Sequence, residues 1–485
     1  MGFSLVAAAA IIGVSLVLII EVFSGVLLPA ISEVNDSYSD LKDRAVDVVQ
    51  TDINVTGVTE EVASWWNENW NYRKSMTIDH NEVAGGLSNF PVLVDITDTD
   101  LRDDAQPDGD DIAFVNSDHT VQYHHEIELY NSTNGHLVAW VNVTSVSSAS
   151  DTVFYMYYGH ATCGSQENPT GVWDSNYVVV QHLNETGSGT RNDSTTYGND
   201  GSPSGYDGDE ATTNGKINGA DDFDGVNDLL DCGNDSSLPA NAVTVEAWFK
   251  LNNLTKDKDS IVNSGHNNMA NPGFKLQFRG DVDQEIRWAV GNQRYSIDSS
   301  VIADTNWHHV AATAWESSGH LADAIELYLD GALINSSTGE HGVDIDYEPL
   351  GLFIGADVNN GNPFNGTLDE VRISNVTRNT SWINTSYNNQ NSPSTFLNRG
   401  DEAPKSQQQV YLNITVKNVG STSLKTTDFS LLINGTVYQF TSSASNLYPE
   451  NQVYLTTITT FDSGSKRVKV ITHNNIADYY DHTGP

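Results

Sequence analysis

Three carboxyl groups fall on one face of Asp344-Ile345-Asp346-Tyr347-Glu348 if that segment is extended, because side chains alternate along a strand. Hydrolysis of a glycosidic bond needs two carboxylates flanking it, so the segment could host a glycosidase. Pro349 follows at once, Gly342 precedes closely, and the acidic background makes such triplets common. Hydrolysis therefore stands as an alternative, and no catalytic residue is assigned. Asp104, Asp108, Asp110 and Asp111 form a denser run, of the kind found in solvated loops. No Gly-rich phosphate loop or nucleophile elbow occurs. Exposed aromatics could stack on the apolar faces of sugar rings, and Trp288, Tyr295, Trp315 and Tyr347 are the candidates.

These groups need a scaffold, and composition bounds it. A chain of 485 residues has room for roughly two to four domains. Lys and Arg number 23 against 64 Asp and Glu, a net charge of -41, which excludes a nucleic-acid face as the main business. The acids are spread along the chain, as in a surface solvated at high salt, and the reading is halophilic. Cys163 and Cys232 cannot make a disulfide scaffold or a four-thiolate zinc site, and are either one disulfide between modules or two buried thiols. Glycosylation sequons begin at Asn35, Asn54, Asn131, Asn142, Asn184, Asn192, Asn234, Asn253, Asn335, Asn365, Asn375, Asn379, Asn384, Asn413 and Asn434. Their spread predicts an N-glycosylated surface protein.

Phe3 to Ile20 carries no charge, which is about 27 Å of helix against a hydrocarbon core of about 30 Å. With no basic n-region and a poor cleavage context, an uncleaved membrane anchor is expected, with the bulk of the chain outside. Beyond Pro29 the residues Ile31, Val34, Tyr38, Leu41 and Val48 recur at helical spacing, so residues 1–49 read as a transmembrane helix and an amphipathic stalk whose stripe faces a partner helix.

After the stalk the pattern is β. Residues 50–58 form a strand candidate, and short alternating runs from Met76 to Tyr158 lie between Asn, Asp, Gly and Ser clusters. Residues 65–165, with Trp70-Asn71-Tyr72-Arg73-Lys74, Asp110-Asp111-Ile112-Ala113-Phe114, Ala139-Trp140-Val141 and Tyr157-Tyr158-Gly159-His160, resemble the uncharacterised β module that precedes laminin-G-like domains in microbial surface proteins. No activity follows from it.

Residues 173–398 carry Phe223-Asp224-Gly225, Val243 to Phe249, Trp307-His308-His309-Val310-Ala311, Glu326 to Gly331, Leu352-Phe353-Ile354-Gly355 and Asp369-Glu370-Val371-Arg372-Ile373. They resemble the laminin-G-like, concanavalin-type jelly roll. The resemblance implies binding of glycans or glycoproteins, and calcium at the rim with Asp224, Asn227 and Asp369 as oxygen ligands. The competing reading makes these residues turn chemistry and a surface acid. It also implies a core role for His308 and His309.

Residues 399–409 read as a polar linker containing Pro404. From Val410 the alternation is clean, and Asn434-Gly435 between apolar runs is a hairpin signal. Residues 410–485, with Asn418-Val419-Gly420-Ser421-Thr422 and Leu431-Leu432-Ile433-Asn434-Gly435, resemble archaellum stator proteins of the F and G type, as does the opening helix. In that family the helix runs straight into the first strand of a small β sandwich. Residues 50–58 are therefore expected to pair with strands after Val410, with both middle modules inserted between. The fold expected is mainly β: one transmembrane helix and three β sandwiches, the last discontinuous. The function expected is non-enzymatic, linking an archaeal membrane or archaellum stator to surface-layer glycoproteins or glycans. A pilin-like filament subunit displaying an adhesin is the alternative binding role.

Overall fold

The computed structural model describes residues 51–62, 65–239, 241–255, 259–265, 273–280, 284–290, 295–299, 302–317, 321–338, 351–405, 410–459 and 466–482. The expected anchor and stalk, with Ile31, Val34, Tyr38, Leu41, Val48 and the sequon at Asn35, lie outside these residues, as do Asp344, Asp346, Tyr347 and Glu348. Among the described residues no helix is long and apolar enough to cross a membrane. The fold is mainly β, and the described residues divide into two compact units, 51–62 with 410–482, and 65–405.

In the first unit Ile53–Val62 pairs antiparallel with Val410–Asn418, placing Ile53 opposite Asn418 and Val55 opposite Val416. The register shifts between Val55 and Gly57, so Val58 faces the same way as Ile53 and Val55. All three are buried with Ile414, Val416, Leu431, Ile433, Val468 and Val470. Val410–Asn418 continues to Gln452–Thr459 and Thr441–Ser442, and the second sheet runs Thr436–Tyr438, Ser430–Ile433, Lys466–Ile471, Ala477–His482. Asn434 and Gly435 have φ of 50° and 86°. Positive φ at both central residues is the type I′ hairpin, whose twist matches the strands it joins.

The second unit holds two sandwiches. The smaller packs a sheet of Tyr72–Ile78, Thr152–Tyr158, Ala113–Asn116 and Gln122–Tyr123 on a three-stranded sheet of Leu87–Thr97, His136–Val146 and His125–Asn131. The larger is a jelly roll of seven- and eight-stranded sheets. Its core is closed by alternating residues such as Val243, Val245 and Phe249 against Phe274, Leu276 and Trp288. The two sandwiches share apolar packing, since Trp173, Tyr177, Val180, Ile217 and Trp382 belong to the core that contains Phe90, Trp140 and Phe154. Helix Thr380–Asn391 lies between them. Asn389 exchanges two hydrogen bonds with the backbone of Leu93, at 2.7 and 3.0 Å, while Gln390 accepts the Trp248 indole N–H at 2.6 Å.

Two expectations need correction. The polar stretch after the jelly roll is not all linker: Leu397–Arg399 pairs with Met76–Ile78, and Ala403–Pro404 pairs with Tyr72 and Arg73. Arg399 reaches Asp98 at 2.7 Å, beside the buried Lys74 that contacts Asp98 and Asp100 at 2.6 Å. The smaller sandwich is thus also discontinuous, completed only after the jelly roll ends. Cys163 and Cys232 form no disulfide. Cys163 packs with Trp65, Trp66 and Trp70, whereas Cys232 is buried in the jelly-roll core.

His125 and His309 are buried, one in each sandwich, and burial depresses them to about 4 and about 3. Both are neutral in the fold down to those values, while the unfolded chain protonates them near pH 6.5. The unfolded chain therefore binds more protons below that pH, and stability falls as the pH drops from about 6.5 toward 4, by about 1.4 kcal/mol per pH unit per histidine. Thermal unfolding of the full chain should show this acid limb, shallower in His309→Gln. A limb of equal slope in that variant would contradict the assignment.

Candidate functional site

Strand Asn365–Ser374 builds the most heavily charged buried site. It pairs with Ala242–Leu251, but Glu246 faces Arg372 and Trp248 faces Asp369, so Glu370 and Val371 together oppose Ala247 alone. This is a β-bulge, and Glu370 takes a left-handed φ of 53° within it. Without the bulge Asp369 and Glu370 would point to opposite faces. With it Leu368, Val371 and Ile373 enter the jelly-roll core, while Asp369, Glu370 and Arg372 all face the smaller sandwich. The partner strand His125–Asn131 does the same: Ile127 and Leu129 face consecutive residues, Ala139 and Val138, leaving Glu128 as the extra residue.

His182 stands between these carboxylates. Its Nδ1 lies 2.7 Å from Glu370 Oε1 and 3.2 Å from Glu128 Oε1, and its Nε2 lies 3.4 Å from Glu126 Oε2. Each carboxylate also has a second partner. Trp140 Nε1 donates to Glu128 Oε1 at 2.5 Å, Trp173 Nε1 to Glu126 Oε2 at 3.0 Å, and Ser194 Oγ to Glu126 Oε1 at 2.5 Å. Arg372 donates to Glu370 Oε2 through Nε and a terminal nitrogen. Its guanidinium sits 4.1 Å from the Trp140 ring centre and 4.8 Å from that of Trp173, a cation between two indoles.

Burial would keep these groups uncharged, and proximity decides which ionise. Burial opposes ionisation of Glu370, but His182 and Arg372 hold it down at about 2. Burial pushes Glu128 up to about 8 against the pull of His182, and it raises Asp369 well above the carboxylate range with Glu370 adding to the effect. Burial would depress His182, yet Glu370, Glu128 and Glu126 raise it well above its ordinary value. At neutral pH two anions, Glu126 and Glu370, thus balance two cations, His182 and Arg372. The site is closed to solvent and its groups are held by one another, so it is arranged to join two modules rather than to receive a polymer.

The proposed calcium ligands do not converge. Asp224 Oδ1 accepts from the backbone of Val226 at 2.6 Å and Asn227 at 3.3 Å, closing a turn, and Asn227 Nδ2 donates to Gly205 O. Asp224 faces Asn365, four residues and about 13 Å along the strand from Asp369. Asp369 is buried instead, accepting from Ile217 N at 2.8 Å. These residues do not fit a calcium ion, because the strand geometry separates them. Of the aromatics considered for stacking, Trp288 is core and Trp315 is 46% exposed, while the side chains of Tyr295 and Tyr347 lie outside the described residues.

Trp315 marks the second feature. It faces Ala242 across the strands, and Ala242 lines an open cleft of about 720 Å³ with Tyr197, Asp235, Ser236, Asn241 and Asn375. Tyr197 is 40% exposed and donates its hydroxyl to Ser175 O at 3.0 Å, which fixes the ring at the mouth. Tyr197 escaped notice in the sequence because an isolated Tyr among Asn, Ser and Gly carries no periodic signal. His182 and the Glu126–Glu128 pair escaped it for a similar reason: their partners are distant in sequence.

Two segments match known families. Residues 224–384 match the concanavalin A-like lectin/glucanases superfamily, and residues 108–195 match a domain of unknown function, DUF2341. The chain therefore contains a concanavalin-like jelly roll. No curated protein matches it. Among solved structures, similarity extends to domain 4 of AbnA, an extracellular arabinanase from Geobacillus stearothermophilus in complex with arabinotriose, at 19% identity over 44% of this chain and 98% of that one, TM-score 0.34. It extends also to a sialidase CBM40 of Ruminococcus gnavus bound to α2,3-sialyllactose, at 13% identity over 35% and 96%, TM-score 0.28. A SAP-like pentraxin of Limulus polyphemus is similar at 16% identity over 34% and 80%, TM-score 0.28.

Replacing Arg372 by Met keeps bulk but leaves Glu370 and its neighbours short of one buried positive charge. Removing one partner of a buried pair costs about 3–5 kcal/mol, and chemical denaturation should report a loss of that size. A change below about 1 kcal/mol would show that the network is not what holds the modules.

Proposed function

We propose that this chain is a membrane-anchored, outward-facing envelope protein whose jelly roll binds glycans without hydrolysing them. The observation that carries the reading is the cleft at Tyr197: one exposed ring lines an open hollow edged with carboxylate, hydroxyl and carboxamide groups, and the exposed Trp315 faces the lining residue Ala242 across the strands. Pyranose rings present apolar faces for stacking and equatorial hydroxyls for polar side chains, and this pairing of surfaces suits them. The carboxylates of the buried cluster are enclosed, which favours binding over a glycosidase mechanism there.

The exposure of the sequon residues Asn54, Asn192, Asn234, Asn253, Asn379 and Asn434 supports display outside the cell. Asn375 lines the cleft and lies in a sequon, so the reading requires it to remain unmodified. Surface-layer glycoproteins or glycans are the partner class that fits an archaeal envelope. The likeness of the opening helix and of residues 410–485 to archaellum F/G-type proteins supports a place beside a stator, with the apolar stripe of the stalk meeting other subunits.

The test is a screen of the full chain against envelope glycans and pyranoside oligosaccharides, followed by calorimetry on the hits. Trp315→Ala should weaken binding about tenfold, the equivalent of ~1.4 kcal/mol of stacking. Binding untouched by Trp315→Ala and by Tyr197→Ala would move the site elsewhere, and absence of any glycan ligand would end the reading.

A further inference from the structure

We propose that Glu128, His182 and Glu370 form a divalent transition-metal site of the zinc class that clamps the smaller sandwich to the jelly roll. Glu128 Oε1, His182 Nδ1 and Glu370 Oε1 are contributed by three separate stretches of chain, and one potential ligand atom from each residue lies within 4.8 Å of the others. A tetrahedral ion with ligands at about 2.0–2.2 Å holds its ligand atoms roughly 3.4 Å apart. The present Nδ1 to Oε1 separations of 2.7 and 3.2 Å need to open by less than about 1 Å to reach that spacing.

What distinguishes this cluster from a chance gathering of acids is the shell behind it. Metal ligands are normally oriented by outer hydrogen bonds, and each of the three has its own. The Trp140 indole N–H and Asn184 Nδ2 hold the two oxygens of Glu128, the latter at 3.2 Å. Arg372 holds Glu370 Oε2, leaving Oε1 turned toward His182. Glu126 Oε2 lies 3.4 Å from His182 Nε2, so with a metal on Nδ1 the remaining ring proton would sit on Nε2 facing that carboxylate.

A second observation lies beside the cluster. Asp369, wholly buried and turned to the same face as Glu370 by the bulge, has no hydrogen-bond partner for Oδ1 among the described residues. A buried carboxylate oxygen left unsatisfied is costly, and a cation held by the neighbouring Glu370 would lower that cost. The donor set also selects the ion. One imidazole nitrogen with two carboxylates in a closed cage suits zinc or manganese, whereas calcium takes six to eight oxygens. With Glu126, Glu128 and Glu370 gathered around His182, a dication would supply the positive charge that the imidazole proton otherwise provides.

The test uses the full chain, produced once with added Zn2+ and once refolded with Co2+ after chelation, so that slow entry into a buried site cannot hide binding. One Zn2+ or Co2+ per chain is expected, with tetrahedral cobalt absorption and quenching of tryptophan emission from Trp140 and Trp173, and no comparable uptake of Ca2+. Glu128→Gln keeps the side-chain shape and should weaken Co2+ binding at least about 100-fold, with circular dichroism confirming the fold. His182→Gln should abolish the cobalt spectrum. Metal-free chain from both preparations, or a cobalt signal unchanged in Glu128→Gln, would overturn the proposal and leave a protonated His182 as the bridge.

Discussion

The second unit depends on one buried cation–carboxylate pair. Arg372 donates to Glu370 while lying between the indoles of Trp140 and Trp173, so the same side chain satisfies a jelly-roll acid and stacks on Trp140 of the other sandwich and on Trp173 where the two cores meet. An arginine in that position cannot shed its charge, and its planar group allows stacking and paired hydrogen bonds together. Its neighbours follow from it. Glu370 must remain ionised, His182 is drawn in as the second cation, and Glu128 and Glu126 are fixed by indole N–H groups that would otherwise be buried without partners.

Regular strands could not have assembled this group. A strict two-residue period sends adjacent side chains to opposite faces, yet Asp369 and Glu370 reach the same face because the strand carries an extra residue there. The matching irregularity at Glu128 brings the opposing acid to meet them. Leu183, directly after His182, also has a left-handed φ, of 57°, unusual for a bulky residue. Non-glycine backbone in this region costs about 1–3 kcal/mol and persists where the surroundings enforce it. Here Leu183 is itself wholly buried in the jelly-roll core.

Parts of this were legible in the sequence. Clean alternation from Val410 marked a strand, Asn434-Gly435 marked a hairpin, and Val243 to Phe249 marked a core strand, because each signal is local and set by side-chain period or turn chemistry. Asp369-Glu370-Val371-Arg372-Ile373 was recognisable as a jelly-roll signature, but a bulge leaves no mark in the pattern, so Asp369 was sought at the rim with Asp224 when it lies buried beside Glu370. The returning strands Leu397–Arg399 and Ala403–Pro404 are short and polar, and only their pairing with Tyr72–Ile78 identifies them. The cleft at Tyr197 joins residues from four stretches of chain, a convergence that no single stretch announces.

If the buried network joins the smaller sandwich and the jelly roll into one structural unit, they must unfold together. Native-state hydrogen exchange under increasing denaturant measures this directly, by following amides of His136–Val146 in the smaller sandwich and of Ala242–Leu251 in the jelly roll. The account predicts that both strands open with one free energy and one denaturant dependence in the native chain, and separately in Arg372→Met. Distinct opening free energies in the native chain would contradict it, and would reduce the Arg372–Glu370 pair to a local contact between two independent modules.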